Sequence, residues 1–255
     1  TIYTITTIDA NSCSSSQTVS VVVNANPNVG AAAAPSAICE GGSASLTASG
    51  AISYSWSTGA NSYSLIASPF TTTIYTVTGT DSNGCSSSQT VSLVVNASPT
   101  IGIVASPSAI CVGSSATITA FGADTYTWIP GNLSGDIQIV SPSAQTIYTI
   151  AGTSTLTGCA NTATTEITVN PLPTATAGVT STLTCANTTI SLTGSGGINY
   201  LWTGPSIVSG ANNSNPIVDA PGTYSLQVGS AAGCTSTLST VSVTQNTIAP
   251  SISSS

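Results

Sequence analysis

The chain has 255 residues, with 7 Asp+Glu against 0 Lys+Arg and 0 His, for a formal net charge of -7. Without a side-chain cation it cannot neutralise phosphates, which excludes non-specific nucleic-acid binding and polybasic attachment to a membrane surface. Without His or Lys it cannot assemble a Ser-His-Asp triad, a Cys-His pair, a Schiff base or an imidazole metal ligand, so the chain is not expected to be an enzyme.

Hydrophobic residues make up 40% of the chain but aromatics only 5%. The apolar content is therefore small and β-branched, which favours strands over helices. No apolar run approaches the roughly 18 residues of a membrane helix, and the longest alanine run, Ala31 to Ala34, is far too short. No membrane span is expected in this segment. It begins without Met and part-way through a repeat, as a segment of a larger protein would.

Taken in chain order, the sequence repeats itself. Residues 1–26 carry Tyr3 and Cys13 and read as the C-terminal part of a repeat. The stretch Cys13 to Pro27 recurs almost unchanged as Cys85 to Pro99, and this separation is the repeat period. Pro35-Ser-Ala-Ile-Cys39 returns as Pro107-Ser-Ala-Ile-Cys111 and, more loosely, as Ser181-Thr-Leu-Thr-Cys185. Trp56, Trp128 and Trp202 follow these cysteines at one constant spacing, and Tyr54, Tyr126 and Tyr200 stand two before each Trp. A second tyrosine (Tyr75, Tyr148, Tyr224) precedes a second cysteine (Cys85, Cys159, Cys234) at a spacing that varies by no more than one position. Whole repeats are thus expected at 27–98, 99–172 and 173–246, with 247–255 opening another. The joints are short, Asn-rich and marked by Pro, so neighbouring repeats should pack end to end.

Within a repeat, alternating Thr/Val and Ser/Leu patterns predict strands over 43–49, 53–57, 62–68, 74–78 and 90–95. A long strand is predicted over 100–110. Asp81-Ser82-Asn83-Gly84 carries a hairpin signal between the last two strands of its repeat. Six or seven short strands per repeat make the fold class all-β: a tandem array of small Greek-key β-sandwiches, Ig-like by the resemblance given next. The period of two in Ser53 to Ser57 puts Tyr54 and Trp56 on one face.

The order Pro-Ser-Ala-Ile-Cys-Glu-Gly-Gly, Tyr-x-Trp, Thr-x-Tyr-Thr-Val and Asp-x-Asn-Gly-Cys resembles the immunoglobulin-like and PKD-like repeats of giant surface proteins. Those proteins are exported by the type IX secretion system of gliding and filamentous bacteria. The resemblance covers essentially the whole chain and implies an extracellular adhesin or filament at the cell surface. Ala220-Pro-Gly-Thr-Tyr224 makes the 173–246 repeat the more PKD-like one.

One Trp per repeat, at constant spacing and in phase with a Tyr, reads as the central core aromatic rather than a sugar-stacking platform. Tyr75, Tyr148 and Tyr224 read as tyrosine corners. The acids do not pair as a glycosidase requires. Asp9 and Asp81 sit beside equivalent hairpins, where the later copies have Thr155 and Ser230. Glu40, Glu166, Asp124 and Asp136 are scattered. No cofactor is expected, and calcium near Asp81 or between Asp124 and Asp136 is the one metal that the oxygen-rich composition leaves open. Asn132-Leu-Ser, Asn187-Thr-Thr, Asn212-Asn-Ser and Asn96-Ala-Ser match the N-glycosylation pattern, as chance alone provides in so Asn- and Ser-rich a chain.

Seven cysteines at fixed positions, Cys13, Cys39, Cys85, Cys111, Cys159, Cys185 and Cys234, read as disulfides of an exported array rather than zinc ligands. Two pairings stay open. Cys39–Cys85, Cys111–Cys159 and Cys185–Cys234 would each close a loop within one repeat. In a sandwich, however, the first cysteine follows a strand that runs the length of the domain, whereas the second follows a hairpin at the opposite end. A disulfide needs Cα atoms within about 7 Å. That placement favours Cys39–Cys159 and Cys111–Cys234 between repeats, leaving Cys13 and Cys85 to pair upstream and Cys185 downstream.

The expected partners are neighbouring repeats of the same chain and copies of itself in a homo-oligomeric fibre. A glycan- or surface-binding module is the alternative. Ice or mineral binding by rows such as Thr71 to Thr73 is disfavoured, because a flat lattice needs a much shorter period than this one.

Overall fold

The computed structural model describes residues 1–248. Most of the expected new repeat at 247–255 therefore lies outside the described residues. Among the described residues all regular structure is strand. β1 (Ile2–Ile8) and β2 (Ser14–Ser20) form an antiparallel hairpin whose residues are all exposed.

The first sandwich contains β3 (Gly30–Ala34), β4 (Ala37–Cys39), β5 (Ala44–Ser49), β6 (Ser53–Trp56), β7 (Ser64–Ala67), β8 (Thr73–Thr80) and β9 (Ser86–Asn96). They make two sheets, β3-β5-β7 and β4-β9-β8-β6. Side chains alternate between faces along a strand, so β5 turns Ala44, Leu46 and Ala48 inward and β8 does the same with Tyr75 and Val77. These meet Trp56 and Leu93 in one core.

The second sandwich repeats the plan with β10 (Gly102–Ser106), β11 (Ala109–Cys111), β12 (Ala116–Phe121), β13 (Thr125–Ile129), β14 (Leu133–Ser134), β15 (Ile137–Val140), β16 (Thr146–Thr153) and β17 (Ala160–Asn170). Its sheets are β10-β12-β15 and β11-β17-β16-β13-β14. The third is built differently from β18 (Thr176–Val179), β19 (Leu183–Thr184), β20 (Ile190–Ser195), β21 (Asn199–Thr203), β22 (Ile207–Ser209), β23 (Ile217–Val218), β24 (Gly222–Gly229), β25 (Ser239–Val243) and β26 (Gln245–Asn246). There β22 extends one sheet to β18-β20-β23-β22, facing β21-β24-β25. β23 pairs with β20 as β7 does with β5 and β15 with β12, so the added strand is β22.

The long strand expected over 100–110 is two strands in different sheets. β10 pairs antiparallel with β12, whereas β11 pairs parallel with β17. Pro107 lies between them and has no N–H to join a ladder, so the chain changes sheets there. Pro35 stands at the same place between β3 and β4. At Gly50 (φ +85°) and Gly196 (φ +103°) the turn after the second antiparallel strand presses on the chain entering the sandwich. A Cβ there would lie 1.9 Å from the Asn28 carbonyl oxygen and 1.8 Å from that of Thr174, respectively.

The chain divides into two compact units. One is Thr1–Thr100 with Thr153–Asn161; the other is Ile101–Gly152 with the described residues from Thr162 onward. The tip of the β16–β17 hairpin, which belongs by sequence to the 99–172 repeat, thus lies in the unit of the first sandwich.

Candidate functional site

The tryptophans are closed off. Trp56, Trp128 and Trp202 are 3%, 0% and 2% exposed. Each indole N–H donates to a backbone carbonyl, of Ser62 (2.9 Å), Gly135 (2.7 Å) and Asn213 (3.2 Å). A stacking platform needs an open ring face, and these have none. Tyr75, Tyr148 and Tyr224 are buried as well. The single Tyr224 O–H lies between two acceptors, the carbonyls of Ser206 (2.8 Å) and of Ala220 (2.9 Å), the latter four residues back, as in a tyrosine corner. The other tyrosine set makes a similar bond three residues back: Tyr54 to Ala51, Tyr126 to Ala123 and Tyr200 to Gly197, at 2.8 to 2.9 Å. These hydroxyls close the turns that precede their strands.

Two of the acids serve hairpin turns. Asp81 Oδ1 accepts from the backbone N–H of Asn83 (2.8 Å) and of Cys85 (2.9 Å), and Asp9 Oδ1 does the same for Asn11 and Cys13. In the third sandwich Ser230 Oγ takes the N–H of Cys234. In the second, the residue at this position is Ser154, not Thr155. Its N–H donates to the Cys159 carbonyl as that of Asp81 does to Cys85, because this loop is one residue longer. Asp124 and Asp136 line one shallow cleft of about 550 Å³ with Tyr126. Among the described residues, no three His, Cys, Asp or Glu side chains converge. Glu166 accepts from the Gln145 amide.

The hairpin tips place the second cysteines. Cys39 is bonded to Cys159 and Cys111 to Cys234, each with Cα atoms 5.6 Å apart. By sequence, each bond joins one repeat to the next. The surroundings repeat too. β4 runs parallel to β9 with Cys39 opposite Asn96, and β11 runs parallel to β17 with Cys111 opposite Asn170. The carbonyl of Asn96 accepts the Glu40 N–H (3.1 Å), and that of Asn170 accepts the Val112 N–H (3.0 Å). The second cysteine's sulfur rests 3.9 Å from the same carbonyl at both sites. A disulfide sulfur has no proton to give, so this is packing contact. The Asn161 amide adds a bond to the Pro99 carbonyl, 3.1 Å. The Asn-rich joints read as boundaries in the sequence, but the asparagine carbonyl as the seat of the disulfide did not. Its signal is the constant spacing from Cys13 to Asn24, Cys85 to Asn96 and Cys159 to Asn170.

Cys13 and Cys185 are exposed and Cys85 is half-buried, all three outside the disulfides. One further surface stands out. Tyr63, 68% exposed, borders a shallow cleft of about 650 Å³ with Ser53, Ser55, Asn61, Thr78 and Thr80.

No family model and no curated protein matches this chain. Among solved structures, a 1.5-MDa bacterial ice-binding adhesin is similar at 15% identity and TM-score 0.35, over 89% of this chain and 100% of that one. A Ca²⁺-stabilized adhesin that helps an Antarctic bacterium reach out and bind ice has 15% identity and TM-score 0.35, over 96% and 81%. An I-band fragment of titin has 12% identity and TM-score 0.37, over 88% and 100%. At these values the likeness assigns no function.

Proposed function

We propose that the chain is a structural, non-enzymatic segment of a giant extracellular bacterial adhesin or filament, and that its repeats form a load-bearing shaft. The observation that carries this reading is the pair of disulfides, each joining one repeat to the next at the same kind of seat. Such bonds persist in oxidising compartments, which supports an extracellular or cell-surface location. Export by a type IX system is part of the same reading and rests on the sequence resemblance alone. A composition without imidazole or lysine supports a shaft without catalysis or a resident cofactor. Copies are proposed to pack side by side in a fibre, since the exposed edges carry no Lys or Arg.

A shaft transmits force without recognising sugars. Applied to a glycan array, the chain is expected to show no selectivity, and saturable binding to one glycan class would overturn the shaft reading. The alternative, a glycan-binding module, is favoured by the open Tyr63 ring among hydroxyl and amide side chains. Loss of such binding in Tyr63→Ala would establish it.

A further inference from the structure

We propose that the disulfides divide the backbone into two interleaved covalent rails, so that tension along the array bypasses the segment between the two cysteines of each repeat. The first rail runs from Cys13 through β2, β3 and β4 to Cys39, crosses to Cys159, and continues through β17, β18 and β19 to Cys185. The second runs from Cys85 through β9, β10 and β11 to Cys111 and crosses to Cys234. The stretch from a second cysteine to the next first cysteine has the same length in all three copies: 13–39, 85–111 and 159–185.

The rails are also hydrogen-bonded to each other. β4 of the first lies parallel to β9 of the second, with Ala37, Ile38 and Cys39 opposite Val94, Val95 and Asn96. β11 of the second lies parallel to β17 of the first, with Ala109, Ile110 and Cys111 opposite Thr168, Val169 and Asn170. Each parallel ladder ends at the cysteine where its rail crosses over. The segments 40–84, 112–158 and 186–233 lie off both rails, and these hold Trp56, Trp128 and Trp202. Tension carried by a rail is borne by covalent bonds and by the first and last strands of each sandwich. The segments between the two cysteines of a repeat hang beside it, and their unfolding releases no length, while the rails themselves carry the core residues Ile38, Leu93, Ile110 and Ile167.

This inference depends on the connectivity, and on the shaft reading only for its purpose. The test pulls the whole chain by azide-bearing residues placed at exposed Asn11 and Ala186, under non-reducing conditions. With the rails intact, the covalent path is the two stretches 11–39 and 159–186, and the chain stops lengthening at roughly 200 Å. Reduction is expected to open the whole of 11–186 and lengthen the stop roughly threefold, to about 630 Å. Bonds within repeats would give the three stretches 11–39, 85–111 and 159–186 and a stop at about 290 Å. A stop at that value, or at the reduced value before reductant is added, overturns the rails. Failure of the shaft reading would instead appear as glycan selectivity with the shortest of these stops unchanged.

Discussion

Trp128 shows how much one residue holds here: it has no exposed surface, and its indole N–H is satisfied within the core. Truncating a buried aromatic removes its transfer energy and leaves a cavity. Trp56→Ala, Trp128→Ala and Trp202→Ala are each expected to cost about 3 to 5 kcal/mol, mainly in their own sandwich, with a smaller effect passed to neighbours. Acrylamide quenching checks the premise, since ready quenching in the folded chain would mean open rings. Tyr148 offers a second test in the same core. Burial pushes its phenol above the ordinary 10.0. The unfolded chain therefore gives up this proton first as the pH rises through 10, and stability falls from there up to the raised folded value. Below that window Tyr148 contributes no pH dependence. Denaturation midpoints for the second sandwich are expected to drop as the pH rises past 10, and to drop less in Tyr148→Phe. An equal drop in both would remove Tyr148 from the account.

A turn is only as good as the groups that close it, and the β8–β9 hairpin hangs on one carboxylate oxygen accepting two N–H groups. Asp81→Ala is expected to cost about 1 to 2 kcal/mol, while Asp81→Ser keeps part of the stability, because Ser230 accepts the equivalent cysteine N–H, that of Cys234, in the third sandwich. Chemical denaturation of the three proteins decides it, and equal losses in Ala and Ser would sink the idea. Gly50→Ala should also destabilise, since a methyl group there runs into the Asn28 carbonyl at a positive φ. The sandwich itself was legible in the sequence because a period of two reports burial directly: Leu46, Val77 and Ile150 fall where the alternation puts them. The break of 100–110 into β10 and β11 was not. Ile103, Val104, Ala105 and Ile110 read as one apolar strand, and only the ladder partners reveal that Pro107 sends the two halves to different sheets. The slip from Thr155 to Ser154 has a different cause: Thr155 is reached by counting back from Cys159, across the one extra residue that the longer Tyr148-to-Cys159 spacing records. The cysteine pairing could be narrowed from which end of a sandwich each residue occupies. Its seat on the Asn96 and Asn170 carbonyls left only the constant cysteine-to-asparagine spacing as a mark, which does not say that a backbone group is the contact.

At the scale of the whole chain, the disulfides should couple the stability of successive repeats. If the third sandwich unfolds alone, Cys234 stays tied to Cys111, which closes a loop of about 60 unfolded residues and is worth about 4 kcal/mol on the chain-entropy model. Amide exchange at Leu226 and Val228 is expected to quicken accordingly in Cys111→Ser/Cys234→Ser, and unchanged exchange would uncouple the repeats. Association between chains turns on a different feature, the sheet edges. β7 and β15 each end a sheet, and there Ile66 is 77%, Ile137 55% and Ile139 73% exposed. Soluble β proteins guard such edges with charge, lysine above all, because unpaired N–H and C=O groups recruit further strands. This chain has no lysine or arginine to place there, and a net charge of -7 spread over 255 residues gives little mutual repulsion. Side-by-side pairing of copies along these edges is therefore expected. Sedimentation velocity should find species heavier than the 24.9 kDa chain that grow with concentration. Ile66→Lys with Ile139→Lys should return the protein to the single-chain mass, since an ammonium on each edge can be paired only at a desolvation cost. A wild-type chain that stays at 24.9 kDa at every concentration would leave a lone shaft and no fibre.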